Sequence, residues 1–233
     1  MLSYRVFEKF ARMLLEGQTA TRQEEDVVLP TLFANVREEA FRLDEGDALR
    51  TSMAGLSMRM FTLWRMRLRV LDGGQAPTED DLQRISFTEW ADAIHCIYWR
   101  TPRIDHLHME CVAVTIAYCN MLLGSRALVH VQEMAPPRRF TPGRIDRGTV
   151  YAVMRATKTR ELGRAFCREL LAWCVEQLAA RAARIAARQD GGSQDGGSLD
   201  GNTPLPEDGR FTSEAERVNM YLLRLDLSEE EKE

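Results

Sequence analysis

Side chains that commonly bind zinc are concentrated between residues 95 and 111, and they are His95, Cys96, His106, His108 and Cys111. Thiolate and imidazole groups are the ligands that zinc prefers. His108 and Cys111 are three residues apart, so a helix would carry both on one face. However, neither a Cys-x-x-Cys nor a His-x-x-x-His spacing is present. We therefore interpret these residues as core and surface side chains and expect no cofactor, with a zinc-stabilised fold as the weaker alternative.

Arginine provides a second kind of chemistry, the binding of polyanions. Residues 138–188 carry twelve basic and four acidic side chains, a net charge of +8. The phosphate backbones of nucleic acids are the usual partners of such a region. The residues that we assign to polyanion binding are Arg138, Arg139, Arg144, Arg147, Arg155, Lys158, Arg160, Arg164 and Arg168. The alternative is an ordinary solvated helix surface, which the spacing of Arg181, Arg184 and Arg188 favours at the end of the region.

Apolar residues near the end of the chain form a pattern typical of partner binding. Val218, Leu222, Leu225 and Leu227 are separated by three, two and one intervening residues. The pattern resembles a leucine-rich nuclear export signal, in which a short helix places apolar anchors in a groove of the export receptor. An export signal would imply a protein of the cytoplasm and nucleus that shuttles between them. The alternatives are an amphipathic helix that docks on its own body or on a partner subunit, and a tail without a binding role.

Motifs of the common enzyme classes are not present in the chain. It contains no Gly-x-Ser-x-Gly, Walker A, Gly-x-Gly-x-x-Gly or His-Glu-x-x-His sequence. Cys167 and Cys174 are seven residues apart beside Phe166 and Trp173, which indicates core positions rather than the electropositive setting of a reactive thiol. We therefore predict a protein without enzymatic activity.

The composition favours one intracellular domain. Of the 233 residues, 45% are hydrophobic, which is enough for a sizeable core. We find no secretory signal, no apolar run of 18 residues and no close pair among the five cysteines, and we expect reduced thiols and no membrane insertion. The 28 arginines and 3 lysines are typical of a GC-rich genome, such as that of a GC-rich bacterium or a large DNA virus.

Residues 105–124 are predicted to form the helix around which the other helices pack. From residue 111 to residue 123 only a threonine and an asparagine are strongly polar, and a helix that is apolar all round is normally buried. Thr101 and Pro102 are typical of an N-cap with proline in the first turn, and Gly124 is typical of a helix end.

Apolar periodicity predicts further helices along the chain. They are expected at residues 3–16, 47–71, 80–85, 88–99 and 157–188, with one more ending near Leu43 and another beginning near Asp146. Pro30 means that the helix before Leu43 either begins near Thr31 or is kinked. Residues 126–134 fit either a short strand or a helical turn.

These elements predict an all-α fold, in which residues 1–188 form a single globular domain of about eight helices around the buried central helix. Residues 189–210 contain the repeated unit Gln-Asp-Gly-Gly-Ser and are predicted to be a disordered linker. Residues 211–233 are predicted to be a C-terminal amphipathic helix with an acidic end.

Taken with the tail pattern, this organisation predicts a non-enzymatic intracellular protein–protein interaction or regulatory factor. It would bind partner helices in grooves of the helical domain and use the tail as a second partner site. The arginine-rich composition and the export-like tail favour a viral regulatory or host-interaction factor. The alternative is a helical nucleic-acid-binding protein that uses residues 138–188, and an oligomer is compatible with both.

Overall fold

A computed structural model describes residues 2–16, 28–42, 52–68 and 76–190. Within these ranges the chain forms nine α-helices, one short β-hairpin, one π-helical segment and one 3₁₀ turn. The prediction of an all-α fold is confirmed. In the described part of the chain no helix is both long and apolar enough to cross a membrane.

The bounds of the elements follow the chain order. The α-helices are α1 (Tyr4–Glu16), α2 (Leu29–Arg42), α3 (Met58–Leu68), α4 (Glu79–Gln83), α5 (Phe87–Ile94), α6 (Glu110–Leu123), α7 (Ser125–Met134), α8 (Arg147–Ala156) and α9 (Arg160–Asp190). The hairpin pairs β1 (Ser52–Met53) with β2 (Leu56–Ser57) in antiparallel fashion. The π-helical segment is His95–Arg100 and the 3₁₀ turn is Ile104–His106.

The chain divides into two compact units, residues 1–167 and residues 168–233. In the first unit, α6 contacts α1, α7, the π-helical segment and the 3₁₀ turn. In the second unit, the described residues belong to α9, where Leu170, Leu171, Cys174 and Leu178 are buried.

Helix α6 is buried, as its apolar composition predicts. Its buried residues are Val112, Ala113, Val114, Thr115, Ile116, Ala117 and Cys119. Because seven consecutive or near-consecutive residues cannot share one face of a helix, α6 is enclosed on all sides along this stretch. At the exposed first turn of α6, the Glu110 carboxylate forms an ion pair with the Lys9 ammonium group of α1.

The prediction of one helix at residues 47–71 is wrong, because the hairpin occupies residues 52–57 and helix α3 begins only after it. Ala54 and Gly55 have φ angles of 44° and 83°, which no α-helix contains. Two distant side chains bond this turn. Trp90 Nε1 donates to the carbonyl oxygens of Met53 and Ala54 at 3.2 and 3.3 Å, and the Tyr98 hydroxyl donates to the Gly55 carbonyl at 3.2 Å.

The predicted start of the central helix at Thr101 and Pro102 is also wrong. The π-helical segment ends at Arg100, and Arg103 has a φ angle of 61°, which interrupts right-handed helix. The 3₁₀ turn follows, and α6 begins at Glu110. The end of α6 at Gly124 agrees with the prediction.

Two alternatives that the sequence left open concern residues 126–134 and Pro30. Residues 126–134 lie in α7, and Pro30 lies in the first turn of α2, where proline is tolerated. Helix α9 includes Gln189 and Asp190, which the sequence assigned to the linker. The rest of the predicted linker, residues 191–210, and the predicted tail helix, residues 211–233, lie outside the described residues.

Candidate functional site

The loop between α7 and α8 and the helix α8 enclose a basic cleft in the first unit. Its lining residues are Pro137, Arg138, Arg139, Gly148, Tyr151, Ala152 and Arg155, and its volume is about 370 Å³. We call these seven residues the arginine cleft. Two of its guanidinium groups come from the loop and one from the helix, so the cleft exists only while the loop stays in place.

A buried amide, Gln132 of α7, holds the middle of this loop. Its side chain is 2% exposed. The Gln132 amide nitrogen donates to the carbonyl oxygens of Thr141 and Arg144 at 2.9 and 2.8 Å and lies 3.1 Å from the Thr149 hydroxyl. The Gln132 amide oxygen accepts the Gly143 N–H at 3.0 Å. Without Gln132, these two carbonyl groups and this N–H group would lose their hydrogen-bond partner, so the amide fixes the loop to α7.

Asp146 joins the end of the loop to the start of α8. Its carboxylate accepts the Thr149 N–H at 2.8 Å as the N-cap and the Thr141 N–H at 2.9 Å across the loop. Burial alone would raise the pKa of Asp146, but the hydrogen bonds from Thr149 and Thr141 outweigh it and lower the pKa below its ordinary value. Asp146 is therefore ionised at neutral pH and bonded to its own loop.

Gly148 allows the loop to lie directly against α8. A Cβ atom at this position would come within 2.4 Å of the Arg139 carbonyl oxygen, which belongs to the backbone and cannot rotate away. Any larger residue at position 148 must therefore displace the segment that carries Arg138 and Arg139.

An aromatic ring lies among these positive charges. Tyr151 is 57% exposed, and the Arg147 guanidinium lies over its ring at 5.6 Å from the ring centre. The Arg147 side chain also contacts the Tyr151 hydroxyl at 3.4 Å, and this contact raises the pKa of Arg147 further above its ordinary value. Phe140, in the loop next to Arg139, is 47% exposed. Exposed aromatic rings are thus interleaved with arginines on both elements.

The charges of the cleft are not neutralised locally. Between residues 135 and 160 the chain carries seven basic side chains and one acid, Asp146, whose oxygens are used by the loop. Among the residues that the structure describes, no ion pair joins a carboxylate to Arg138, Arg139 or Arg155. Three exposed arginines that line one cleft are an arrangement that can bind anions.

The structure brings together part of the polyanion-binding set predicted from the sequence. Arg138, Arg139 and Arg155 line the cleft, and Arg147 lies over Tyr151 beside it. Arg144 is exposed in the same loop. The remaining predicted residues do not line the cleft: Lys158 and Arg160 are exposed after α8, Arg164 is half-buried in α9, and Arg168 is exposed in the second unit.

The histidine and cysteine residues have separate surroundings. His95 and Cys96 begin the π-helical segment, where His95 packs against Phe7 at 4.5 Å between ring centres, and burial lowers the pKa of His95. The ring nitrogen of His108 lies 3.3 Å from the Thr157 carbonyl. In the described ranges no group of three histidine, cysteine or acidic side chains is arranged to hold a metal ion.

Sequence reasoning did not select Gln132, Gly148 or Tyr151. A signal for Tyr151 was present, because Arg147, Tyr151 and Arg155 follow one another at intervals of four residues and hence share one face of a helix. No comparable signal marks Gln132 or Gly148, whose roles depend on contacts with residues from nine to seventeen positions away.

The predicted tail anchors Val218, Leu222, Leu225 and Leu227 lie outside the described residues. Comparison with other proteins adds no assignment. No protein-family model, no curated protein and no solved structure matches this chain.

Proposed function

We propose that the chain is a non-enzymatic nucleic-acid-binding protein that holds phosphodiester groups in the arginine cleft. The observation that carries the proposal is the convergence of Arg138, Arg139 and Arg155 around one cavity beside an exposed tyrosine ring. Guanidinium groups match phosphate oxygens in geometry and remain charged at every physiological pH. The one acid of this segment, Asp146, is occupied by its own loop, and in the described part of the chain no ion pair joins a carboxylate to the three cleft arginines.

The aromatic residues favour nucleic acid over other polyanions. A sulfated sugar or an inositol phosphate needs only the cations, whereas nucleic acids also offer flat bases to Tyr151 and Phe140. Basic surfaces with interleaved aromatic rings are the usual composition of nucleic-acid-binding sites.

A partner helix remains the other candidate, on a separate observation. On α3, Leu63 and Met66 are 49% and 55% exposed and lie three residues apart, so they share a face. This apolar pair supports the prediction of protein–protein recognition from the helical body. The two proposals differ in how affinity responds to salt.

The test is a salt titration of the full chain with a fluorescent oligonucleotide, followed by anisotropy. Three or four phosphate contacts predict that log K falls with log salt concentration with a slope of roughly −2 to −3 for a single strand. The variant Arg138→Gln/Arg139→Gln/Arg155→Gln should abolish most of this salt dependence and bind the oligonucleotide at least about tenfold more weakly.

The matched control is Arg5→Gln/Arg84→Gln/Arg100→Gln, which removes the same charge from three exposed arginines away from the cleft. It should keep both the slope and the affinity. An equal loss in both triple variants would mean general attraction to net charge and would contradict the proposal. Absence of nucleic-acid binding, together with salt-insensitive binding of a protein partner, would favour the α3 face instead.

A further inference from the structure

We infer that the arginine cleft is a site for a single unpaired nucleotide, in which Tyr151 stacks on the base and the arginines hold the adjoining phosphates. This inference rests on the proposed function and specifies its ligand: a single strand rather than a duplex. It depends on the shape of the cleft, the ring of Tyr151 and the fixed position of the loop.

The shape of the site excludes recognition of a duplex groove. A helix or a two-stranded ribbon must protrude to enter the major groove, which is about 12 Å wide. The arginine cleft is concave, and its volume of about 370 Å³ lies at the lower end of small-ligand pockets. A space of this size suits one nucleotide better than a paired and stacked duplex.

Tyr151 supplies the surface on which a base stacks. The guanidinium of Arg147 lies 5.6 Å from the ring centre, yet Tyr151 lines the cleft and is still 57% exposed, so solvent reaches much of the residue. A base in a duplex has both faces covered by its neighbours, and only an unpaired base can offer one to a side chain. Arg147, which contacts the ring but does not line the cleft, adds its positive charge beside the stacking surface.

The cleft is pre-formed by contacts that fix its loop against α7 and α8. Gln132 and Asp146 hold the loop with their hydrogen bonds, and the missing side chain at Gly148 lets the Arg139 backbone reach α8. A loop already fixed in its binding conformation loses little conformational freedom when the strand binds. Gly148 is therefore a positioning residue for the two loop arginines.

The experiment compares a fluorescent 12-nucleotide single strand, the duplex of the same sequence and an abasic strand of the same length, each with the full chain. We expect the single strand to bind at least about fivefold more tightly than the other two, because stacking on an aromatic side chain contributes from roughly fivefold to a hundredfold in affinity per base. The variant Tyr151→Leu should lose that advantage, and Tyr151→Trp should retain it.

The salt slope separates stacking from phosphate contact. Tyr151→Leu should leave the slope unchanged, since it removes no phosphate contact, whereas Arg155→Gln should reduce it by about 0.7. Gly148→Ala should weaken binding of the single strand, whereas Gly163→Ala should not. Gly163 does not line the cleft, and a Cβ added there would come closest to the flexible thioether of Met109, with Val112 at an ordinary contact distance of 3.7 Å.

The two failures are distinguishable. Equal affinities for the intact strand, the abasic strand and the duplex, with a slope that still depends on the cleft arginines, would overturn the stacking inference and leave the proposed function standing. No salt-dependent binding of any of the three probes would overturn both. A 5-iodouracil strand that crosslinks to Tyr151 on irradiation would support the inference directly, and crosslinking elsewhere in the chain would contradict it.

Discussion

Helix α6 and the arginine cleft both belong to the first unit, but they are maintained by opposite kinds of interaction. Helix α6 is enclosed by apolar contacts from α1, α7 and the π-helical segment. The cleft is exposed, and its loop is held by the polar side chains of Gln132 and Asp146. Apolar burial is roughly proportional to area and tolerates many arrangements, whereas each hydrogen bond needs one partner in one direction. We therefore expect substitutions in the two regions to affect stability and the proposed binding to different degrees.

The largest expected effect is on α6. Ile116→Ala removes a fully buried side chain, and we expect it to lower the free energy of unfolding by about 2–5 kcal/mol. Urea denaturation followed by circular dichroism measures this change. Binding of an oligonucleotide by the fraction that remains folded should be unchanged. A loss below about 1 kcal/mol would mean that α6 does not have the central role in packing that its burial indicates.

An intermediate effect is expected at Gln132. Gln132→Leu leaves the Gly143 N–H and the carbonyls of Thr141 and Arg144 without their partner, at a cost of about 2 kcal/mol. The matched control is Thr115→Val, because the buried Thr115 hydroxyl has no hydrogen-bond partner within the described residues. That control should be neutral to within about 0.5 kcal/mol. Thermal melting measures the stability of both variants. A similar loss of stability in the two would contradict the assignment of the Gln132 hydrogen bonds as stabilising contacts of the loop.

The smallest effect is pH-dependent and concerns Asp146. Its lowered pKa means that its contribution is fully present above the unfolded-state value of about 3.9 and is lost as the pH falls through the folded-state value. Asp146→Ala should therefore cost about 1 kcal/mol at pH 7, and its stability should converge with that of the unaltered protein near pH 2. Asp92→Ala, at an exposed position on α5, should change stability little at either pH. A deficit that persists at pH 2 would contradict the capping role.

The variant with the largest loss of stability should not be the one with the largest loss of binding. Gln132→Leu should weaken nucleic-acid binding as well as stability, because the loop arginines lose their fixed position. Ile116→Ala should affect stability alone. Measuring both binding and stability for the two variants therefore tests whether the cleft can lose its binding conformation separately from the packing of α6.

The long regular helices could be predicted because their information is local. The apolar composition of α6, the periodicity of α1 and the N-cap at Asp146 each lie within one segment of sequence. The prediction of one helix at residues 47–71 failed for the opposite reason. Its residues are good helix formers, but the turn at Ala54 and Gly55 is bonded by Trp90 and Tyr98, more than thirty residues away.

In the candidate site, too, the sequence predicted what is local and missed what depends on contacts between distant residues. The sequence identified the basic segment by charge alone, and four of its predicted residues, Arg138, Arg139, Arg147 and Arg155, lie in or beside the cleft. It also selected Arg164 and Arg168, which do not line it. Charge density along a chain does not specify which side chains share a cavity, because that depends on how a loop turns.

The all-α class, the burial of α6 and the positive charge of residues 138–188 follow from composition and periodicity, which act through short-range geometry and summed charge. The hairpin at residues 52–57 and the loop that lies against α8 to make a cleft follow instead from tertiary contacts. Both depend on single hydrogen bonds and one close approach, at Trp90, Gln132 and Gly148, between residues separated along the chain. Such contacts leave no period and no charge pattern in the sequence.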